Sequence, residues 1–138
     1  MLRKTFPDVA LTTDVIVGFP GETEEQFNEL LEFIEEQKFD RVGCFMYSPE
    51  ENTPGGKMPD QIANSVKKKR HDKLMKLQQK ISLNAHKAFI GKEIEVLVEG
   101  YSDETDLLLQ GRSSQQAPDI DGVVLINSGD AEIGQMVK

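Results

Sequence analysis

Thr12-Thr13-Asp14-Val15-Ile16-Val17-Gly18-Phe19-Pro20-Gly21-Glu22-Thr23 is the stretch whose reading decides the fold. Val15, Ile16 and Val17 form a β-branched apolar run, which predicts a strand buried on both faces of a parallel sheet. The run stops at Gly18, Pro20 and Gly21: the glycines allow backbone angles that a Cβ opposes, and Pro20 fixes its own φ while restricting Phe19. Thr23 and Gln26 then have capping-box spacing, and Phe27, Leu30, Leu31 and Ile34 recur at i, i+3, i+4 and i+7, the stripe of an amphipathic helix. Glu24 and Glu25 fall in its first turn, where the helix dipole favours negative charge. The string therefore reads as strand, tight loop and helix, and in α/β folds such a loop sits at the carboxyl end of the strand, where ligands bind.

Working outward, Arg41 to Tyr47 is a second strand, giving a βαβ order with the helix as crossover. Upstream, Leu2 to Ala10 reads as the end of a helix and its loop. Ser48 to Met58 is a polar loop rich in Pro and Gly, in which the adjacent carboxylates Glu50 and Glu51 diverge rather than form an acid–base pair. Asn64 to Phe89 is helical, with Leu74, Leu77, Ile81, Ala85 and Ala88 on its apolar side and Val66 close to that stripe. Lys67-Lys68-Lys69-Arg70, with Lys73, Lys76 and Lys80, is read as a solvated basic face, since no aromatic is interleaved for base stacking. Glu29, Glu32, Glu35 and Glu36 are likewise solvated charge on the outer face of the first helix, and His71 and His86 are ordinary surface or packing residues.

Past Gly91 the texture turns to β. Ile94, Val96 and Val98 alternate with glutamates, and Thr105 to Gln110 and Val123 to Ile126 are further strands, with Gln135 to Lys138 starting another. The composition shifts at the same point: residues 1–90 carry 13 Lys and Arg against 14 Asp and Glu, a net of −1, whereas residues 91–138 carry 3 against 10, a net of −7. Two domains are expected, 1–90 and 91–138, the second a small antiparallel OB-like barrel with an unpaired edge. Cys44 is the single cysteine among 138 residues, which excludes an internal disulfide framework, and its apolar strand setting makes it a small buried hydrophobe. No run is long and apolar enough for a membrane span, so a cytoplasmic location without membrane contact is expected.

The opening string resembles the radical-SAM methylthiotransferases, enzymes that insert a methylthio group into an unactivated C–H bond. Phe45-Met46-Tyr47-Ser48-Pro49-Glu50-Glu51-Asn52-Thr53-Pro54 is similar to that family's next barrel strand and loop. Gly111-Arg112-Ser113 with Ala117-Pro118-Asp119-Ile120-Asp121-Gly122 is similar to its C-terminal TRAM domain. Glu50 after Tyr-Ser-Pro, where the transfer-RNA-modifying branch usually has Arg, and the Ala-Pro-Asp-Ile-Asp-Gly string both resemble the branch acting on an aspartate of a small-subunit ribosomal protein. Asn52, where the family usually has Gly, and Gly55-Gly56, where it tends to have Ala, are departures.

The resemblance implies the last βα units of a partial TIM-like radical-SAM barrel followed by a TRAM barrel truncated at its C-terminus. It implies S-adenosyl-L-methionine and two 4Fe-4S clusters in the full-length parent. The cluster that reduces S-adenosylmethionine takes three cysteines spaced C-x3-C-x2-C, which this chain lacks, so no metal ligand, catalytic residue or bound cofactor is expected in it, and it is expected to be inactive alone. Ile16, Gly18, Phe45 and Tyr47 are the implied cofactor-binding residues, although Ile16 and Gly18 match only part of the usual Gly-x-Ile-x-Gly-x-x-Glu pattern and Glu22 falls one place late. Glu50, Asp119 and Asp121 are the implied substrate-side residues. The expected partner is a basic small-subunit ribosomal protein, with nucleic acid disfavoured at residues 91–138 because a net charge of −7 repels phosphates. A non-catalytic RNA-binding module and the tRNA-adenosine methylthiotransferase relative are the alternatives.

Overall fold

In the computed structural model, which describes residues 2–138, the chain runs α1 (Leu2–Thr5), β1 (Thr12–Val17), α2 (Glu24–Gln37), β2 (Arg41–Met46), α3 (Asn64–Lys87), β3 (Val96–Ser102), β4 (Thr105–Ser113), β5 (Val124–Ile126) and β6 (Met136–Val137). It forms two units, one of Ala10–Ala88 and one in which residues 2–9 group with Phe89–Lys138.

In the first unit β1 and β2 pair in parallel, with Thr12 beside Arg41 through to Val17 beside Met46. Contrary to the expectation of a strand buried on both faces, β1 is covered on one. Val17, Val42 and Cys44 are buried in the core cluster with Val15 packed against it, whereas Asp14, Ile16 and Phe45 are exposed. Successive strand side chains point to opposite faces, so helices on one side bury every second residue. An unbroken apolar run hides that alternation.

The capping box forms as expected. The Gln26 amide donates to Thr23 Oγ1 at 3.2 Å and the Thr23 amide to Gln26 Oε1 at 3.0 Å. Lys38, at φ 50°, ends α2 with its amide bonded to the Ile34 carbonyl. Phe27 and Ile34 are buried, Leu30 and Leu31 pack against the core, and Glu29, Glu32, Glu35 and Glu36 are exposed. Full burial of Phe27, Ile34 and Leu74 stabilises by about 1.5–3 kcal/mol each.

The phase of α3 corrects the sequence reading. Its buried residues are Lys67, Arg70, Leu74 and Gln78, spaced i, i+3, i+7 and i+11, so two cations assigned to a solvated face lie on the packed one. Lys68, Lys69, Lys73, Lys76 and Lys80 are exposed, while Ala88 lies beyond the helix and is exposed rather than apolar lining. The helix keeps one face toward the sheet along its whole length, and at its first turns that face meets the polar loop ends of the strands. Gln78 there donates to the Phe39 and Asp40 carbonyls at 3.0 and 3.3 Å.

The second unit holds a four-stranded antiparallel sheet in the order β5-β4-β3-β6, open among the described residues. Val96 and Val98 are buried and Glu99 is exposed, as the alternation required, although Ile94 precedes the strand. The register shifts between Val98 and Gly100, and Glu99 there accepts a 2.5 Å bond from Arg112 Nε. Gly111 is required at its place because a Cβ would collide with the Leu97 carbonyl on the neighbouring strand. No helix among the described residues is long and apolar enough to cross a membrane.

Candidate functional site

The loop after β1 is held by a carboxylate. Gly18 and Gly21 adopt φ 76° and 82°, backbone that L side chains rarely take. The Gly18 amide donates to Glu22 Oε2 at 2.5 Å, and the Gly21 amide to the Asp60 carbonyl at 2.9 Å. Glu22 Oε2 also lies 2.6 Å from Arg70 Nη1, which bonds the Glu22 carbonyl at 3.2 Å. Both side chains are largely buried, at 7% and 14% exposure, and the bond is charge-assisted, the stronger class of hydrogen bond. The guanidinium also lies 5.4 Å from the centre of the Phe27 ring. Glu22, out of place for the resemblance's pattern, thus ties the loop to α3.

A second tie joins the ends of β1 and β2. The Tyr47 amide donates to the Val17 carbonyl at 2.9 Å, and the Tyr47 ring meets Phe19 edge-on with centroids 5.0 Å apart. Lys67 Nζ donates to the Tyr47 carbonyl at 2.8 Å and stands 5.2 Å from the centre of its ring. The methylenes of Lys67 pack on Gly18, where a Cβ would collide with them, so Gly18 is needed for space as well as for its φ.

Ile16 and Phe45 are direct register partners on the open face, 59% and 58% exposed. Gly18 and Tyr47, at the carboxyl ends of the same strands, both touch Lys67. The four residues expected to face a cofactor therefore cluster at one end and one face of the parallel pair. Glu50 lies in the following loop with an exposed side chain, its carbonyl accepting the Thr53 hydroxyl at 2.9 Å. In the second unit Asp119 is exposed at φ 61°, whereas the Asp121 carboxylate accepts the Ala117 amide at 2.7 Å. Gln116 braces the same loop, accepting from the Ser113 amide at 2.9 Å and donating to the Gly122 carbonyl. Asp121 is thus part of the loop's own scaffold.

Sequence reasoning missed Lys67, Arg70 and Glu22. The available signal was the i, i+3, i+7 spacing of Lys67 and Arg70 with Leu74. Burial and the Glu22 charge push the Cys44 thiol up to about 11, so it is unreactive near neutrality. Hydrogen bonds from His71 and Lys68 hold the Asp72 carboxyl below its ordinary value. The open apolar face of Ile16 and Phe45 fits an aromatic base such as adenine. Three thiolates for an iron–sulfur cluster do not fit a chain with one cysteine, and among the described residues no group of three His, Cys, Asp or Glu could hold a metal ion.

A TRAM domain model matches residues 90–138. Over 137 residues, 99% of its length, the chain is 63% identical to the ribosomal protein uS12 methylthiotransferase RimO of Bdellovibrio bacteriovorus and 56% identical to that of Geobacter sulfurreducens. Over 136 residues it is 50% identical to the protein of the same name from an Anaeromyxobacter species. The chain spans just under a third of the length of these curated relatives, 30%, 31% and 29% respectively.

Proposed function

Because the chain belongs to the ribosomal protein uS12 methylthiotransferase family over the portion that it spans, we propose that it serves in methylthiolation of an aspartate of that small-subunit protein. In this reading Ala10–Ala88 supplies the last βα units of a radical-SAM barrel, and Ile16, Gly18, Phe45 and Tyr47 form one wall of the S-adenosylmethionine pocket. S-adenosylmethionine supplies the radical chemistry when bound at a cluster held by other residues of the full-length enzyme. This chain's residues shape the wall: Glu22 and Arg70 hold the Gly18 loop, and Lys67 holds the Tyr47 backbone against it. Residues 91–138 form the TRAM domain, an OB-like barrel that docks the substrate protein, with the work in the cytoplasm.

The observation that carries this reading is identity of 50–63% to uS12 methylthiotransferases along essentially the whole chain. Charge supports the docking role. Glu93, Glu95, Glu99, Asp103, Glu104, Asp106 and Asp119 are exposed, and ribosomal proteins are generally basic because they bind RNA phosphates. Complementary charge accelerates association in a salt-dependent way. Titrating the intact chain against uS12, transfer RNA and ribosomal RNA at several salt concentrations tests it. Binding to uS12 that weakens as salt rises, and that Glu93→Gln with Glu95→Gln weakens further, is the expected result. RNA binding that strengthens as salt falls, with none to uS12, would favour the RNA-binding module instead.

A further inference from the structure

Lys67 is 2% exposed, yet among the described residues no carboxylate lies within ion-pair reach of its ammonium; Glu22, the buried acid of this region, is engaged by Arg70. One carbonyl and one aromatic ring are the partners of Lys67. A buried charge is costly unless a counter-charge compensates it. Lys67 also lines a cavity of about 590 Å³ between the end of β2 and the start of α3, together with Tyr47, Ser48, Gln61, Asn64 and Lys68. Lys68 is mostly exposed and makes only a surface i, i+4 contact with Asp72.

The helix end at this cavity also lacks a counter-charge. Its N-cap is Ala63, no side chain caps it, and its first turn holds no acid. The amides of Val66 and Lys67 reach back to the Ala63 carbonyl at 2.9 and 3.1 Å, which leaves the first two helical amides, of Asn64 and Ser65, directed out of the helix end. By contrast α2 carries a full capping box and two glutamates in its first turn. Two ammonium groups, an uncapped positive helix end and hydroxyl and amide side chains thus converge on one cavity that no protein anion enters.

We propose that this cavity is an oxyanion pocket for a carboxylate the size of an acidic side chain, held between Lys67, Lys68 and the amides of Asn64 and Ser65. Its source is an acidic side chain of the polypeptide substrate, an assignment that rests on the proposed function, whereas the pocket itself does not.

The test is amide chemical-shift titration of the intact chain with sodium acetate and with N-acetylaspartate amide, against sodium chloride at matched ionic strength. Saturable shifts at Asn64, Ser65, Lys67 and Lys68 with both carboxylates, and none with chloride, are expected. Lys67→Met should abolish them. Should that variant fail to fold, Ala63→Asp provides its own N-cap carboxylate and should weaken acetate binding about tenfold or more while keeping the fold. Shifts that do not saturate, or that persist unchanged in Ala63→Asp, overturn the pocket. Saturation by acetate without response to the aspartate derivative keeps the pocket and overturns its assignment to the substrate side chain.

Discussion

The two units bury themselves by different means. Ala10–Ala88 covers one face of a parallel pair with two helices and fully excludes Val17, Phe27, Ile34 and Leu74 from water, with Lys67 and Arg70 carried into the same packed layer. The antiparallel sheet buries Val96 and Val98 but leaves Leu107 91%, Ile120 85% and Ile133 63% exposed. A helix laid along a strand pair closes a core within one chain segment, whereas an open sheet of short strands lacks a second layer over much of its apolar surface. Stability in the first unit therefore depends on particular buried side chains, including charged ones, and single substitutions should separate the two.

The largest effect is expected at the buried ion pair. Arg70→Met leaves the Glu22 carboxylate without its cation and should cost about 3–5 kcal/mol in urea unfolding, because removing one partner strands a buried charge. Adding Glu22→Gln should recover part of that loss. A cost near zero for Arg70→Met would show that the pair is solvated and that the loop is held by its backbone alone.

The units are compared directly by two leucines. Leu74→Ala should cost about 2–5 kcal/mol through lost burial and the cavity left behind, whereas Leu107→Ser in β4 should stay within about 0.5 kcal/mol. Equal losses would mean that the sheet's exposed leucine is covered in solution.

The smallest effect sharpens the account of the first core. Cys44 has a thiol value raised from 9.0 to about 11 in the fold. The unfolded chain therefore releases its proton first as pH rises, and stability is intact below about pH 9 and falls toward 11, by at most about 1.4 kcal/mol per pH unit. Cys44→Ala should remove that slope when urea midpoints are compared at pH 8, 9 and 10; an unchanged slope would place the thiol in water.

Taken alone, the sequence determined the order of elements, the capping box at Thr23 and Gln26, the core stripe of α2, the alternation at Val96 and Val98 and the glycine-bearing loop after β1. Each depends on residues within one or two turns of one another, where periodicity and side-chain-to-backbone bonding act without the rest of the fold. Tertiary structure alone decided which face of β1 is open, which cations of α3 are buried and what Glu22 does. Arg70 lies 48 residues from Glu22 and Lys67 lies 20 from Tyr47, so those contacts exist only once α3 lies along the strand pair. A lysine or arginine on a helix is solvated or buried according to what its face meets: here the strand ends present a carbonyl, an aromatic ring and a carboxylate, which accept the charge that the core proper would exclude.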